Sequence, residues 1–447
     1  MNIGFLSPEV AGHLNPMTTL GRELQRRGHC VTVMARPDAR RRAEAAGLDY
    51  VPVGEREFPV GSEQAASAKL GELRGMKAAR FTVELLRQGA EMLLTEGLEV
   101  AKRRKFDALV VDQVIAAGGT LADQLGLPHV SVCNALPVTP DLDGVPNSMR
   151  GWLYAKGPLG WGRDALGHAL FRWIARPLIR EVAGHRRRHG LPAHGNFFAG
   201  GSTLALIAQQ PAFFDFPGAR MPAHFHYTGP WHNKGSADTI SFPWNKLDGR
   251  PLIYASMGTL QNRLELIFPV IAEACVGLDA QLVIALGSRD RDADALAAQL
   301  PGAPIVVPFA PQLALLDKAT MVITHAGLNT ALESLSRGLP MVAIPITNDQ
   351  PGVASRLEWL GVAEVVQVKK LTAARLRTAL LKVLSDPRYR QNAQEWQQDL
   401  CGTDGVCLAA DLVETAFRTR KRVRRTTECR GEISMGDEGE RAPAVSF

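Results

Sequence analysis

Residues 309–350 read FAPQLALLDKATMVITHAGLNTALESLSRGLPMVAIPITNDQ, and this stretch decides the fold. The β-branched run 321–324 is typical of a short buried parallel strand. A helical segment that starts near Gly327 and runs through residue 336 follows it, and a second apolar strand covers 341–345. The order strand, helix, strand predicts a βαβ unit of a doubly wound α/β domain.

Ligands of such domains bind beyond the carboxyl ends of the strands, where helices begin. His325 and Asp349 both fall at such ends. The free amides at the start of the predicted helix would face an anion there, aided by the helix dipole. Asn329 and Glu333 are four residues apart, so they share one helix face. Together with Phe309, these groups could bind the nucleobase, the diphosphate, the ribose and the sugar of one ligand.

The same stretch resembles the signature box of the family 1 glycosyltransferases, which use nucleotide-sugar donors. The matching pieces are Pro311-Gln312, Thr324-His325-Ala326-Gly327, Asn329-Thr330, Glu333, Gly338-Leu339-Pro340, Pro345 and Asp349-Gln350. The sequence looks like the bacterial type, which includes zeaxanthin glucosyltransferases and macrolide glycosyltransferases. Phe309 and Leu328 stand where the plant pattern has tryptophan. The resemblance implies the GT-B fold, in which two Rossmann-like doubly wound domains face each other across a cleft.

The resemblance also implies a role for each residue of a donor site. It assigns uracil stacking to Phe309, diphosphate binding to His325, Asn329 and Thr330, ribose binding to Glu333, and sugar binding to Asp349 and Gln350. A further loop, Gly258-Thr259, follows a predicted strand and suits close approach to a phosphate. The complete predicted donor-binding set is Gly258, Thr259, Phe309, Ala310, Gln312, His325, Gly327, Asn329, Thr330, Glu333, Asp349 and Gln350.

The amino-terminal part predicts a second site. Residues 2–35 again read strand, helix, strand, and His13 falls in the first loop, before a helix expected over 16–27. Asp112 ends a second strand, so the two side chains are expected at the same sheet edge. A histidine suits a general base, and a bonded carboxylate would stabilise its charged form. Both residues match the catalytic dyad of the family. The alternatives are a loop-capping histidine and an aspartate that caps a helix.

Length and composition set the remaining limits. The 447 residues are too many for one compact core and suit two domains of about 200 residues. The sequence has no run of about 18 apolar residues, so we expect no transmembrane helix. The first residues predict a strand rather than a signal peptide, so we expect a cytoplasmic protein. The six cysteines lack metal-binding spacing, which predicts free thiols and no metal. The net charge of +6 is modest and no motif indicates nucleic acid.

Composition shifts along the chain predict its organisation. The expected parts are an acceptor-binding domain (1–230), a linker (231–250), a donor-binding domain (251–390), carboxyl-terminal helices (391–420) and a disordered tail (421–447). In the resembling family the last helix crosses back onto the first domain. Two irregular insertions, 51–105 and 136–201, are expected to build an acceptor pocket, whereas each of their aromatics taken alone is more typical of the core. The aromatics concerned are Trp152, Trp161, Phe171, Trp173, Phe197 and Phe198.

The segment 163–188 combines helical apolar spacing with many arginines. The apolar positions are Leu166, Leu170, Trp173, Ile174 and Leu178, and the flanking arginines are Arg163, Arg172, Arg176 and Arg180. Such a segment could make a peripheral contact with an anionic membrane. The alternative is a helix that packs on its own domain and leaves its arginines in solvent.

The sequence and its resemblance together predict an inverting hexosyltransferase that uses a UDP-sugar and a hydrophobic acceptor such as a carotenoid, terpenoid, polyketide or flavonoid. The resemblance alone implies that the hexose is glucose. His13 would act as the base and Asp112 would assist it. The UDP-sugar is a co-substrate, and no cofactor or metal is expected. Two alternatives stay open: a nucleotide-sugar epimerase of the same architecture, and a non-catalytic activator of a partner glycosyltransferase.

Overall fold

The computed structural model describes residues 1–73, 75–138, 145–146, 148–193, 201–217, 219, 221–231, 240–258, 267–288 and 292–425. These residues form two sheets, and every strand pairing within them is parallel. None of the helices in these ranges is long and apolar enough to cross a membrane.

The first sheet has the order β3-β2-β1-β4-β5-β6-β7. Its strands are β1 (Asn2–Leu6), β2 (Cys30–Ala35), β3 (Asp49–Pro52), β4 (Ala108–Asp112), β5 (His129–Cys133), β6 (Leu206–Ala208) and β7 (Phe225–Tyr227). The helices of this part are α1 (Ala11–Arg26), α2 (Arg40–Ala45), α3 (Ser62–Glu72), α4 (Met76–Met92), α5 (Leu98–Arg104), α6 (Gly118–Leu125) and α7 (Pro158–Arg188).

The second sheet has the order β10-β9-β8-β11-β12-β13. Its strands are β8 (Leu252–Ser256), β9 (Gln281–Ala285), β10 (Ile305–Val307), β11 (Ala319–Thr324), β12 (Met341–Ala343) and β13 (Ala363–Val365). The helices that follow are α8 (Ile267–Cys275), α9 (Ala293–Gln299), α10 (Gln312–Leu316), α11 (Leu328–Leu335), α12 (Gln350–Trp359), α13 (Ala373–Ser385), α14 (Pro387–Leu400) and α15 (Gly405–Thr419).

Both sheets are doubly wound and reverse their strand order at one point, between β1 and β4 in the first and between β8 and β11 in the second. A parallel sheet is covered by helices on both faces, which is why β4 and β8 are buried along their whole length. The carboxyl ends of the strands at a switch point border a crevice that receives ligands. The predicted α/β class with two Rossmann-like domains is confirmed.

The last helix, α15, packs against α1 of the first domain. Ala409, Val413 and Phe417 are buried in the same core cluster as Leu20 and Leu24 of α1. The carboxyl-terminal helix therefore ties the end of the chain to the amino-terminal sheet.

Two boundaries differ from the sequence prediction. Residues 421–425, expected to be disordered, lie along the first sheet: the Val423 N–H donates to the Leu204 carbonyl at 2.9 Å, and His226 Nε2 lies 3.0 Å from the Val423 carbonyl. Residues 426–447 of the predicted tail lie outside the described ranges. In the predicted linker, Phe242 is buried in the core of the second domain, because its ring packs in one cluster with strand β8.

Candidate active site

His13 lies in the first turn of α1, not in a loop before it as predicted. The helix begins ahead of Pro16 because the amides of His13 and Leu14 both donate to the Val10 carbonyl, at 3.1 and 2.9 Å. His13 Nδ1 is 2.8 Å from Asp112 Oδ2. Strands β1 and β4 are direct neighbours, so the two predicted residues meet at the switch point of the first sheet.

The Asp112 carboxylate is fully buried and has three hydrogen-bond partners. Besides His13, the Val114 N–H donates to Oδ1 at 2.9 Å, and Asn134 Nδ2 donates to Oδ2 at 2.6 Å. A buried carboxylate requires such partners, since it has lost its water. The three contacts also fix its orientation toward the imidazole.

His13 combines partial exposure with a raised pKa. Burial disfavours the charged imidazolium, but the charge and hydrogen bond of Asp112, together with the charges of Asp349 and Glu9, outweigh burial and raise the pKa of His13 above 6.5. The side chain is 18% exposed. Because Nδ1 is held by Asp112, Nε2 is the ring nitrogen left for a substrate proton.

We expect the rate of the catalysed reaction to follow this pKa. A histidine can act as a general base only while its imidazole is neutral. Therefore kcat/KM should fall as the pH drops below the pKa of His13, which is raised above 6.5. Asp112→Asn removes the charge that raises the pKa, so the His13 imidazole should titrate at a lower pH in that variant. A pH profile of kcat/KM and an NMR titration of the imidazole measure the two effects. A wild-type inflection at or below 6.5 would contradict the assignment.

On the second sheet, Gly258 follows β8 and His325 follows β11, so both lie at the other switch point. A Cβ atom on Gly258 would lie 2.6 Å from His325 Nε2, and one on Gly327 would lie 2.4 Å from it. Both positions therefore require glycine while the ring stays in place. Burial lowers the pKa of His325 to about 4, so the imidazole is neutral at physiological pH. Thr259 lies outside the described ranges.

Glu333 is oriented by a short chain of hydrogen bonds. Gln312 Nε2 donates to Glu333 Oε2 at 2.5 Å and to Thr330 Oγ1 at 3.3 Å. The Tyr254 hydroxyl donates to Gln312 Oε1 at 3.1 Å and so fixes the amide. Burial raises the pKa of Glu333, and the Gln312 hydrogen bond opposes that rise. Tyr254, which sequence reasoning missed, is thus a positioning residue of the predicted ribose site.

Asn329 links the two domains. Pro16 has no N–H, so the Gly12 carbonyl lacks the donor that a helix would normally supply four residues later. Asn329 Nδ2 donates to that carbonyl at 3.0 Å. On its other side, Asn329 Oδ1 accepts from Gln209 Nε2 at 2.7 Å. The side chain of Asn329, which is predicted to bind the diphosphate, is therefore held against the helical turn that carries His13.

The same contacts continue to His13 and Asp112. Gln209 Nε2 also donates to the Asn134 carbonyl at 2.9 Å, and Asn134 in turn donates to Asp112. A continuous network thus runs from Asn329 to His13. Sequence reasoning missed Gln209 and Asn134, although each directly follows the last residue of a strand, as a polar residue at a sheet edge would.

Asp349 and Gln350, the two residues predicted to bind the sugar, already accept hydrogen bonds from backbone amides. Asp349 Oδ2 accepts from the Leu136 N–H of the first domain at 3.1 Å. Burial raises the pKa of Asp349, while this hydrogen bond and the nearby His13 lower it. Gln350 Oε1 accepts the amides of Ile346 and Thr347 at 2.9 and 3.0 Å. The Nε2 group of Gln350 is therefore the part left for a sugar hydroxyl.

One cavity of about 860 Å³ between the domains joins these groups. Its lining includes His13 and the donor-side residues Gly258, Phe309, Ala310, Gln312, His325, Gly327, Asn329, Thr330, Glu333, Asp349 and Gln350. Apolar side chains of α3 and α4 form its first-domain wall, among them Leu70, Leu85 and Leu86. Within the described residues, no cluster of three or more histidine, cysteine or acidic side chains could hold a metal.

The insertions contribute to this cavity differently from the prediction. The first insertion lines it with side chains of α3 and α4, and the second contributes Leu136, Val138 and Met149. Its described lining contains none of Trp152, Trp161, Phe171 and Trp173. Trp161 and Trp173 are 56% and 53% exposed, so they belong neither to the pocket nor to the core. The predicted residues 197–198 lie outside the described ranges.

Two doubly wound domains, with a histidine–aspartate pair at one switch point and a glycine-flanked histidine at the other, form the arrangement expected of a nucleotide-sugar glycosyltransferase. The family model for UDP-glucuronosyl and UDP-glucosyl transferases matches residues 206–398. The chain is 30% identical over 414 residues to a zeaxanthin glucosyltransferase of Pantoea ananas, covering 93% of this chain and 95% of that one. It is 30% identical over 421 residues to that of Pseudescherichia vulneris, covering 93% and 98%.

A solved structure of the glycotransferase of kitacinnamycin matches the fold with a TM-score of 0.72 at 22% identity, over 93% of this chain and 98% of that chain. The chain belongs to the UDP-glycosyltransferase family and is a glycosyltransferase.

Proposed function

We propose that the enzyme transfers a hexose, glucose, from a UDP-sugar to a hydroxyl of a hydrophobic small molecule in the cytoplasm, with inversion at the anomeric carbon. The observation that carries the proposal is the 2.8 Å contact between His13 and Asp112. His13 borders the same cavity as the donor-side residues, so a base and a sugar donor would face each other across the cleft.

In the proposed reaction, the acceptor hydroxyl gives its proton to His13 Nε2 as its oxygen attacks the anomeric carbon. The bond from that carbon to the terminal phosphate oxygen breaks, and UDP leaves with the electron pair. Asp112 stabilises the imidazolium that forms. Attack opposite the leaving group inverts the configuration.

The departing diphosphate would be received by the first amides of α11. Its N-cap residue, Gly327, offers no side-chain cap, so within the described part of the chain these N–H groups would be available to an anion. Neutral His325 adds a hydrogen-bond donor beside these amides. Fixed donors stabilise the negative charge that develops on the leaving diphosphate and so lower the activation barrier of the transfer. We therefore propose that the enzyme needs neither a metal nor another cofactor.

The transfer rate is accordingly expected to be unchanged by EDTA and by added Mg²⁺. The physical reason is that fixed backbone amides take the place of a cation at the leaving group. Initial rates of UDP release, measured after dialysis against chelator, test this. A large loss of activity that Mg²⁺ restores would show that a metal assists departure.

The acceptor is proposed from the apolar wall of the cavity. Leu70, Leu85 and Leu86 offer no hydrogen bonds, so they favour an extended hydrophobic molecule. Two relatives at 30% identity are zeaxanthin glucosyltransferases. We propose a carotenoid, terpenoid, polyketide or flavonoid bearing a hydroxyl group, with no role for nucleic acid.

A panel of such acceptors with isotopically labelled UDP-glucose, scored by product mass, tests the proposal. We expect an acceptor-dependent product that carries one labelled hexose. Conversion of the UDP-sugar into an epimer without any acceptor would support the epimerase instead. Turnover by the purified chain alone would show that it is itself the catalyst. Turnover only in the presence of a partner glycosyltransferase would support the non-catalytic activator.

A further inference from the structure

Helix α7, 31 residues long, presents large apolar side chains to solvent. Leu159, Leu166 and Trp173 are 92%, 70% and 53% exposed. They are spaced seven residues apart, so they lie along one face of the helix. The opposite face is the one that packs on the domain, where Leu178 and Val182 are buried. The alternative in which α7 packs its apolar side chains on its own domain therefore holds for Leu178. It does not hold for the outer face formed by Leu159, Leu166 and Trp173.

The same outer face is basic. Arg172, Arg176 and Arg180 are exposed, and each lies one helical turn from the next. Among the described residues, none of these three guanidinium groups forms an ion pair. The neighbouring carboxylate of Glu84 is already bound by Arg87 at 2.8 Å. The face thus carries uncompensated positive charge beside exposed hydrocarbon.

A cleft of about 400 Å³ between α4 and α7 adds a feature suited to a phosphate. Arg80, Arg176 and Arg180 line it together with Trp173 and Glu84, whose carboxylate is bound by Arg87. One guanidinium group can donate two parallel hydrogen bonds to the oxygens of a phosphate. Indole rings are enriched at the headgroup level of a bilayer. The cleft therefore matches the headgroup of an anionic phospholipid.

We propose that this outer face of α7 docks the enzyme on an anionic lipid bilayer. Leu159, Leu166 and Trp173 enter the interface, and the arginines bind lipid phosphates. The charge argues against a second copy of the chain, because a two-fold contact through this face would bring two arginine clusters together. The inference is independent of the proposed sugar transfer, since it concerns a surface outside the large cavity.

Vesicle flotation of the full-length protein tests the charge. Wild type is expected to float with phosphatidylcholine vesicles that contain phosphatidylglycerol, and not with pure phosphatidylcholine. The variant Arg172→Glu/Arg176→Glu/Arg180→Glu should bind at least about a hundredfold more weakly, given the usual contribution of each basic residue near an anionic surface. The matched control is Arg41→Glu/Arg103→Glu/Arg418→Glu, which changes the net charge equally at exposed sites elsewhere and should keep binding.

The variant Leu159→Ser/Leu166→Ser/Trp173→Ser tests the apolar contribution at unchanged charge, and we expect it to float at least tenfold less. UDP binding and far-UV circular dichroism confirm that each variant folds. Equal weakening in the control, equal binding to neutral vesicles, or no binding of wild type would each overturn the proposal. So would a dimer in sedimentation that the serine variant abolishes while vesicle binding is unchanged.

Discussion

Substitution of His13 by alanine is expected to lower kcat by about a thousandfold, because a positioned general base contributes roughly 10²–10⁴ to the rate. His13 is the titratable group of the proposed catalytic pair that reaches the cavity, since Asp112 is fully buried behind it. The predicted donor ligands lie on the other domain. Binding of UDP should therefore be nearly unchanged while transfer is lost.

Initial rates give the loss in kcat, and calorimetry with UDP gives the affinity. The matched control is His189→Ala, which removes an exposed histidine at the end of α7 and should leave both values unchanged. Transfer by His13→Ala at the wild-type rate would reject the proposed base. A large loss of UDP affinity would instead show that His13 helps to hold the donor.

A second large effect concerns the stability of the domain interface. Arg356 of α12 donates to Asp215 Oδ1 through Nη2 at 2.9 Å and through Nε at 3.1 Å. Both side chains are 3% exposed. The other carboxylate oxygen accepts from the Tyr227 hydroxyl at 2.7 Å and from Gln210 Nε2 at 2.8 Å. The pair joins the second domain to the first in a region that is buried from solvent.

Arg356→Met is expected to lower the free energy of unfolding by about 3–5 kcal/mol, because it leaves a buried carboxylate without its countercharge. Urea unfolding followed by fluorescence measures the loss. The control is Arg388→Met, which breaks an exposed pair with Asp386 and should leave the midpoint unchanged. Equal midpoints for the two variants would show that the interdomain pair does not support the fold.

Much of the architecture could be predicted from the sequence, because the alternation of apolar strands and helices is local. The position of a residue at a strand end then predicts where its side chain lies. This was sufficient to bring His13 and Asp112 together, and to place His325 and Gly258 at the second switch point.

The missed features depend on contacts distant in sequence. Gln209 and Asn134 gain their partners only once β4, β5 and β6 lie side by side, and Asn329 contacts Gly12 only when the two domains meet. Helical spacing likewise identifies an apolar stripe on α7 but not the side that the domain covers. That side depends on the packing of α7 on α4.

The anomeric configuration of the product tests the central claim most directly. With UDP-glucose, whose glucose is α-linked, and an acceptor that supports turnover, proton NMR of the purified glucoside assigns the new linkage. We predict a β-glucoside from the wild type and the same β-glucoside, formed about a thousandfold more slowly, from His13→Ala. An α-glucoside, or the same β-glucoside formed at an equal rate by His13→Ala, would contradict direct displacement by an oxygen that His13 deprotonates.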